Sequence, residues 1–227
     1  MSGGEKRSVL VTGGTTRLGL AIAQYLREVG WRVLTSSHRA DAGADFVADL
    51  SEPMGAAKLF AAVLGALGGE PPDALVNNAA LYTGADEAVE CVNLVAPQKL
   101  TMLMAGREAG RGAVVNVLDC RVLGSGPCGD GGAYERSKRG LLGYTRRSAA
   151  MFAETLRVNA VAPGPVFAPV GVREKAGETP LGRPTGEDVA AAVEFLLGAS
   201  ATSGCVIPVD GGQSLMLAHY NPTSDLV

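Results

Sequence analysis

Residues 8–22 read SVLVTGGTTRLGLAI, where a short apolar run passes into small residues and glycines and then into a helix-like apolar period. This order predicts a β-strand, a tight turn and an α-helix. Glycines let the backbone approach a ligand closely, and the N–H groups of a helix N-terminus can hold a pyrophosphate. The spacing of Gly13 and Gly19 is weak evidence alone, but its position between a strand and a helix indicates a nucleotide site.

Strand-like and helix-like segments alternate along the rest of the chain. That alternation is typical of a parallel sheet whose crossover helices cover both faces. We predict an α/β fold in which residues 1–227 form a single domain around a doubly wound, Rossmann-type parallel sheet, for which 227 residues and 47% hydrophobic content suffice. The predicted strands lie near 8–12, 31–36, 45–48, 73–77, 112–118, 155–160 and 205–209, and the predicted helices near 17–30, 52–67, 85–109 with a break near Asn93, 133–153 and 186–199.

The charge pattern argues against several classes of partner. The formal net charge is -3 and no block of like charges occurs, so we expect neither nucleic acid nor a membrane as a partner. The N-terminus is polar and the apolar run after it is short, which predicts no signal peptide and a cytoplasmic protein. The scattered cysteines and histidines predict neither a disulfide framework nor a metal site; they are Cys91, Cys120, Cys128, Cys205, His38 and His219.

Tyr134 and Lys138 lie one helical turn apart on one face of a predicted helix. An isolated pair at this spacing is usually an aromatic and a cation on a solvated face. Here the pair follows a nucleotide-binding turn, and a nearby ammonium favours the phenolate, so we predict an acidic proton donor beside the nucleotide. Two long irregular segments, 124–132 and 163–184, follow strands at the carboxyl edge of the sheet, where open α/β sheets bind ligands.

Seven motifs occur in an order typical of one enzyme family, and together they cover about residues 8 to 213. On these motifs the chain resembles the short-chain dehydrogenase/reductase family. The motifs are TGxxxRxG at 12–19, Asp49-Leu50, NNAA at 77–80, Asn93 in a VNL run, Tyr134 with Lys138, NxVxPG at 159–164, and PVDGG at 208–212.

This resemblance implies a nicotinamide cofactor and gives individual residues a role. Tyr134 would protonate the substrate as hydride arrives, Lys138 would lower the tyrosine pKa and bind the nicotinamide ribose, and Asn93 would hold a water in the proton relay. Taken singly, Asp49 and Asn78 read as a helix cap and a turn residue, whereas the resemblance implies that they contact the adenine and line the cofactor cleft. The other implied cofactor-binding residues are Thr12, Gly13, Leu18, Gly19, Leu50, Ala79, Pro163, Gly164 and Val166.

Charge at the end of the second strand indicates which nicotinamide cofactor binds. An NAD site uses an acid there for the ribose 2′-hydroxyl, and an NADP site uses cations for the 2′-phosphate. The strand ends in a TSSHR run that brings Ser37, His38 and Arg39 to its tip, and Arg17 stands where the family often has a glycine. Two guanidiniums and two hydroxyls converging on one spot suit a phosphate, so we predict NADPH. Asp41 opposes this slightly, and His38 is alternatively only a polar strand-end residue.

Asp119 departs from the common family pattern. Most relatives have a serine at the end of the fifth strand, which donates a hydrogen bond to a substrate carbonyl. A carboxylate there would repel a developing alkoxide. It suits hydride addition to a C=N bond, where a protonated ring nitrogen or an amino N–H needs an acceptor or a proton source.

The same departures resemble the pteridine reductase and dihydromonapterin reductase branch of the family. In that branch an aromatic residue stacks on the pterin, which contributes roughly 0.5–1.5 kcal/mol beyond area burial; the alternative is an ordinary loop aromatic. The stretch from Asp119 to Tyr134 is two residues longer than expected for the branch. Within the predicted lid region, about 164–184, the segment 165–173 that usually forms the substrate lid of the family is short. The shared features are Arg17, His38, Arg39, Asp119 and the aromatic, Tyr82.

Three functions remain open. The leading one is NADPH-dependent reduction of a heterocyclic, pterin-type C=N substrate, from dihydropterin to tetrahydropterin, with dihydrofolate as a further candidate. The alternative is a ketoreductase of a 3-oxoacyl-carrier-protein-like or secondary-metabolite carbonyl, in which a protonated Asp119 replaces the serine. A non-catalytic NADP-binding regulator is disfavoured by the intact Tyr134, Lys138 and Asn93. Relatives commonly form tetramers, so we expect a homo-oligomer; the tail, 213–227, packs on a neighbour, covers the site or frays.

Overall fold

Seven parallel strands form one sheet in the order β3-β2-β1-β4-β5-β6-β7. The computed structural model describes residues 6–107, 111–124, 132–167 and 179–217. The strands are β1 (Ser8–Thr12), β2 (Arg32–Ser37), β3 (Phe46–Val47), β4 (Ala74–Asn77), β5 (Gly112–Val117), β6 (Leu156–Pro163) and β7 (Val206–Val209).

Helices connect these strands. A π-helical turn, Cys91–Val95, joins α3 to α4, and two short 3-10 turns cover Ala40–Ala42 and Cys120–Leu123. The α-helices are α1 (Arg17–Glu28), α2 (Gly55–Ala66), α3 (Asp86–Glu90), α4 (Ala96–Ala105), α5 (Gly132–Met151), α6 (Gly186–Gly198) and α7 (Gln213–Leu217).

The hydrophobic core lies on both faces of the sheet, because successive side chains of a strand point to opposite faces. Val9 and Val11 of β1 pack with α1 and α6 on one face, and Leu10 packs with α2 and α4 on the other. A third cluster, which includes Leu118 and Leu141, packs α5 against the ends of β5 and β6. The predicted α/β fold with a doubly wound parallel sheet is confirmed.

Several predicted boundaries were wrong by a few residues. The helix predicted near 52–67 begins at Gly55, where an added Cβ would collide with the carbonyl oxygen of Asp49. The segment 85–109 is broken at the π-turn that contains Asn93, as predicted, and α4 ends at Ala105. The strand predicted at 155–160 begins at Leu156 and continues to Pro163, because its last four residues pair with β7. The start of the tail forms α7, which the sequence analysis did not predict.

The order of the strands places the ligand-binding edge. The chain runs outward from β1 through β2 to β3, and then crosses back to form β4 on the other side of β1. Open α/β sheets bind ligands in the crevice at such a switch point. The carboxyl ends of β1, β4, β5 and β6 meet there. Parts of the predicted Gly-rich loop, lid and tail, 125–131, 168–178 and 218–227, lie outside the described residues. Among the helices that are described, none is both long enough and apolar enough to cross a membrane.

Candidate active site

The turn after β1 is tied to the loop after β4 by Thr12 and Asn78. The Thr12 hydroxyl accepts hydrogen bonds from the backbone N–H groups of Asn78 and Ala79, both at 3.0 Å. The Asn78 side-chain amide donates to the carbonyl oxygens of Thr12 at 2.9 Å and Gly13 at 3.2 Å. Asn78 therefore fixes the Gly-rich turn, and lining of a cofactor cleft stays a prediction for it.

The geometry of this turn suits an anion. Gly13 has a φ of 63°, in the left-handed region, and a Cβ on Gly19 would collide with the Gly13 carbonyl oxygen. In the described structure α1 begins with no capping hydrogen bond from the Thr16 side chain and no acidic residue in its first turn. A helix N-terminus left open in this way is complementary to a pyrophosphate. Leu18 packs on the core beneath it.

The charged residues near the end of β2 are paired differently from the prediction. The Arg39 guanidinium donates to both carboxylate oxygens of Asp41, at 3.0 Å and 2.7 Å, and both side chains are exposed. The Ser37 hydroxyl accepts from the Arg39 backbone N–H at 3.1 Å. The Arg17 guanidinium lies over the Phe167 ring, 5.3 Å from its centroid. Asp41 thus pairs with Arg39, one of the two arginines predicted to bind the 2′-phosphate. An exposed ion pair of this kind is weak enough for a phosphate to displace Asp41.

Asp49 follows β3 and closes a turn. Its carboxylate accepts from the hydroxyl of Ser51 at 2.6 Å and from the backbone N–H of Ser51 at 2.8 Å. These hydrogen bonds from Ser51 lower the pKa of Asp49. Asp49 therefore closes a turn and does not cap a helix, because α2 begins at Gly55 and its N-cap residue is Met54. The neighbouring Leu50 is buried in the core. An adenine contact stays a prediction for Asp49, and a cofactor contact stays a prediction for Leu50.

Asp119 and Tyr134 lie side by side at the carboxyl edge of the sheet. The hydroxyl of Tyr134 on α5 donates to Oδ2 of Asp119 at 3.1 Å. Asp119 stands just after β5 and caps the following 3-10 turn by accepting from the backbone N–H of Arg121 at 3.0 Å. The longer stretch between Asp119 and Tyr134 therefore leaves the two groups in hydrogen-bond contact.

Arg121 is the residue that the sequence analysis missed. Its guanidinium forks onto the Asp119 carboxylate, with Nε 2.9 Å from Oδ1 and Nη2 2.8 Å from Oδ2. The same guanidinium lies 5.7 Å from the ring centroid of Tyr82 and 5.5 Å from that of Tyr134. The sequence carried a signal, because an Arg two residues after an Asp can close an Asx turn and an ion pair together.

The pKa values of the central pair follow from these contacts. Burial raises the pKa of Asp119, but the side-chain and backbone hydrogen bonds from Arg121 outweigh it, and the net pKa is below the ordinary value. Burial and the charge of Asp119 raise the pKa of Tyr134 above its ordinary value. At neutral pH Asp119 is therefore ionised, Tyr134 is protonated, and the carboxylate accepts a hydrogen bond from the phenol.

Lys138 lies beside the Tyr134 ring, but its hydrogen bond goes to the backbone. Its ammonium is buried, donates to the Val117 carbonyl oxygen at 2.7 Å, and lies 5.8 Å from the centroid of the Tyr134 ring. The net pKa of Tyr134 is raised by burial and Asp119, so the tyrosine is not unusually acidic in this structure. A lowering effect of Lys138 on that pKa stays a prediction. Burial also lowers the pKa of Lys138 itself, to about 8.

We expect Lys138→Met to raise the free energy of unfolding at pH 7. Because burial lowers the pKa of Lys138 from 10.5 to about 8, the charged form costs about 3 kcal/mol at neutral pH. The cost is complete below pH 8 and disappears as the pH rises to 10.5, since in that window the unfolded chain binds a proton that the folded chain has lost. Denaturant unfolding of both proteins should give a variant more stable by about 1–3 kcal/mol, with the difference shrinking in alkali; equal stabilities at pH 7 would contradict a buried ammonium.

The ring of Tyr82 is exposed and lies beside Tyr134. The ring centroids of Tyr82 and Tyr134 are 4.7 Å apart with the planes tilted by 60°, and 63% of Tyr82 is exposed. Arg121 donates to the Tyr82 hydroxyl at 3.5 Å. An aromatic face left open next to a proton donor suits a flat ligand.

Asn93 fixes the loop that carries Tyr82. Its side-chain oxygen accepts from the Leu81 backbone N–H at 2.8 Å, and its amide donates to the Leu81 carbonyl at 2.9 Å and to the Ser137 hydroxyl at 3.2 Å. The side chain projects from the π-turn, a feature that frequently marks functional sites. These contacts describe a positioning role, and the water relay stays a prediction for Asn93.

The end of β6 closes the other side of the crevice. Pro163 is the last residue of β6, and a Cβ on Gly164 would lie 2.8 Å from the Cα of Asp210. Val166 then turns back, donating its N–H to the Gly164 carbonyl at 2.8 Å. The thiol of Cys120 donates to the side-chain oxygen of Gln213 on α7 at 3.1 Å, which joins the turn after Asp119 to the start of the tail.

A family profile and two curated relatives match this chain over most of its length. The family profile described as enoyl-(acyl carrier protein) reductase matches residues 15–214. Protein FixR of Bradyrhizobium diazoefficiens is 32% identical, covering 93% of this chain and 88% of its own length. The 3-oxoacyl-acyl-carrier-protein reductase MabA of Mycobacterium bovis is 31% identical, covering 92% and 93%. The chain therefore belongs to the short-chain dehydrogenase/reductase family, a family of oxidoreductases.

Solved structures are similar over nearly the whole chain, and we describe one of them. It is FolM alternative dihydrofolate reductase 1 from Brucella canis, complexed with NADP. The two chains are 30% identical and superpose with a TM-score of 0.80, covering 92% of this chain and 94% of that one. The predicted resemblance to the family and to its pterin-reducing branch is thus confirmed.

Proposed function

We propose that this protein reduces a C=N bond of a dihydropterin with NADPH and gives a tetrahydropterin, with dihydrofolate as a related substrate. The observation that carries the proposal is the ionised Asp119 hydrogen-bonded to Tyr134. The family resemblance implies a serine at this position in most relatives. An ionised carboxylate accepts hydrogen bonds and cannot donate one. It complements the N–H groups of a pterin better than it complements a ketone oxygen.

NADPH fits the residues of the switch point. The open N-terminus of α1 and the close turn of Gly13 and Gly19 suit a pyrophosphate, and the similar Brucella canis structure contains NADP. Arg17 and Arg39 would meet the 2′-phosphate, with Arg39 leaving its exposed pair with Asp41. The nicotinamide, when bound, supplies a hydride to the substrate carbon.

Tyr134 is the source of the proton that the substrate nitrogen takes up. The raised pKa of Tyr134 holds its hydroxyl protonated at neutral pH. In the proposed reaction, hydride adds to carbon and a proton adds to nitrogen, so the C=N bond becomes CH–NH. In this proposal the Tyr134 hydroxyl turns from Asp119 to the substrate nitrogen, and its O–H bond breaks as the N–H bond forms, which leaves a phenolate on Tyr134. A proton donor placed in this way contributes roughly 10²–10⁴-fold in rate.

The ketoreductase alternative needs a protonated Asp119. Arg121 works against that form, since its hydrogen bonds hold the pKa of Asp119 below the ordinary value despite burial. Similarity to MabA, whose name describes a 3-oxoacyl-acyl-carrier-protein reductase, makes this carbonyl class the appropriate competitor in an assay.

The test is a substrate panel with the purified protein and NADPH, followed by the loss of NADPH absorbance. The panel contains dihydropterins and dihydrofolate on one side, and simple ketones and a β-ketoacyl thioester on the other. We expect turnover of a dihydropterin and none of the ketones. Turnover of the thioester alone would overturn the pterin assignment and leave the cofactor site in place.

We expect Arg17→Gly to reduce the preference for NADPH over NADH. Arg17 has a φ of 48°, a conformation that glycine adopts without strain, so the variant should keep the turn. Loss of a charge-assisted hydrogen bond of about 1.5–3 kcal/mol predicts a change of roughly 10–100-fold in the ratio of the two kcat/KM values. An unchanged ratio would remove Arg17 from the phosphate site.

A further inference from the structure

We propose that Arg121 is a positioning residue. It holds the Asp119 carboxylate ionised and oriented to accept the hydrogen bond of the Tyr134 hydroxyl, and it connects this pair to the ring of Tyr82. The inference rests on the proposed function only where it concerns turnover. The coupling between Arg121 and Asp119 stands on the contacts of the described residues.

The first observation is the number and direction of the contacts. Arg121 gives Asp119 three hydrogen bonds, one from its backbone N–H at 3.0 Å and two from its guanidinium at 2.9 Å and 2.8 Å. The guanidinium contacts engage both carboxylate oxygens, so they fix the plane of the carboxylate as well as its charge. Oδ2 is the oxygen that also accepts from Tyr134 at 3.1 Å. The fork therefore sets the position of the acceptor that Tyr134 uses.

The second observation is the burial of the pair. The Asp119 side chain is 18% exposed and the Arg121 side chain 46% exposed, so the carboxylate is shielded and its partner reaches solvent. A shielded carboxylate without a cation would become protonated more readily. Arg121 is the cation that offsets this burial, and its own pKa is raised chiefly by the hydrogen bonds to Asp119.

The third observation is the contact of Arg121 with both aromatic rings. Its guanidinium lies within 6 Å of the Tyr82 and Tyr134 ring centroids, the range of a cation–π interaction. One side chain thus touches the acceptor, the proton donor and the exposed ring. A displaced guanidinium would disturb all three together, which distinguishes it from a surface arginine that only closes a turn.

The titratable groups around Asp119 lie on four elements of the described structure. Arg121 and the thiol of Cys120 lie on the 3-10 turn, Tyr134 and Lys138 on α5, and Tyr82 on the loop after β4. Asp210, after β7, acts on Cys120, whose pKa burial raises to about 12. The Lys138 ammonium is committed to the Val117 carbonyl at 2.7 Å. Arg121 is therefore the one of these groups that bonds Asp119 as a cation.

The test is the titration of Asp119 in the intact, cofactor-free protein, by carboxyl carbon NMR of aspartate-labelled samples. Asp119→Asn identifies the resonance. In Arg121→Gln we expect Asp119 to titrate about one to three pH units higher than in the unaltered protein, and in Arg121→Lys by a smaller amount, because a lysine keeps the charge without the fork. The matched control is Arg136→Gln, which breaks an exposed ion pair of 2.8 Å with Asp86 and should leave Asp119 unchanged.

Turnover gives the second readout. With a dihydropterin, the acid limb of the pH–kcat profile should move to higher pH in Arg121→Gln, while NADPH affinity stays within about twofold. The same Asp119 titration in Arg121→Gln and in the unaltered protein would overturn the inference, even with lower activity. If the unaltered protein reduced no dihydropterin, the proposed function would fail, and the NMR titration would still decide the role of Arg121. If Arg121→Gln did not fold, Arg121→Lys would decide it by the same titration.

Discussion

Tyr134→Phe is expected to abolish turnover while NADPH still binds. The substitution removes the hydroxyl that donates to Asp119 at 3.1 Å and keeps the ring that packs 4.7 Å from Tyr82. Asp119 keeps its hydrogen bonds from Arg121, so the carboxylate stays in place. Loss of a positioned proton donor predicts a fall in kcat of about 10²–10⁴-fold. The measurement is kcat with a dihydropterin, beside the Kd of NADPH.

The same helix offers a matched control. Tyr144 lies on α5 as well and is buried, and its hydroxyl donates to the Gln98 carbonyl at 3.2 Å, away from Asp119. Tyr144→Phe should therefore leave kcat nearly unchanged and lower the free energy of unfolding by about 1 kcal/mol. Full activity in Tyr134→Phe would exclude the tyrosine as the proton donor.

Gly19→Ala is expected to destroy the nucleotide turn. An added Cβ would collide with the Gly13 carbonyl oxygen and lie 2.5 Å from the side-chain nitrogen of Asn78. The Asn78 amide that holds the turn has to move, which costs about 1–3 kcal/mol as overpacking. We expect NADPH affinity to fall by about tenfold or more, since each 1.4 kcal/mol of lost binding energy is about tenfold. Calorimetric titration with NADPH measures the change.

Gly65→Ala is the control for Gly19→Ala. Gly65 lies on α2, and a Cβ there would have nothing within 4 Å. Because alanine is the better helix former, the control should be as stable as the unaltered protein or more stable by up to about 1 kcal/mol, with the same NADPH affinity. Equal NADPH affinity in the two variants would mean that the turn does not hold the cofactor.

The fold could be predicted because its signals are local. The apolar runs of the seven strands and the Gly13–Gly19 turn are continuous in sequence, and a parallel sheet needs little more than their alternation with helices. Asn93 was expected at a helix break, and the structure has a π-turn there. The start of α7 and the extension of β6 to Pro163 depend on tertiary packing, which periodicity does not carry.

The site was harder to predict because its partners are chosen in three dimensions. Sequence spacing suggested that Lys138 acts on Tyr134. In the structure Lys138 bonds the Val117 carbonyl, and burial and Asp119 raise the pKa of the tyrosine. Arg39 was expected to face a phosphate, but Asp41, two residues away, pairs with it in this structure. In both cases the side chain bonds a group that the motif does not include: the Val117 carbonyl for Lys138, and the Asp41 carboxylate for Arg39.

Arg121 is a site residue that the sequence motifs did not predict. It belongs to none of the family motifs, and its importance follows from a fork onto Asp119 and contacts with two rings that only the folded chain brings together. The Asp-x-Arg spacing could have raised it as a candidate. Its relation to Tyr82 could not be inferred without the loop that Asn93 fixes through Leu81.

The measurement that tests the central claim most directly is the ratio of kcat/KM for a dihydropterin to kcat/KM for a β-ketoacyl thioester, in the unaltered protein and in Asp119→Ser. Serine can still accept from the Arg121 backbone N–H, so the turn after β5 should persist. The account predicts a ratio well above one in the unaltered protein and a fall of at least about tenfold in the variant, because serine donates to a carbonyl where the carboxylate accepted from the pterin. A ratio below one that Asp119→Ser leaves unchanged would contradict it.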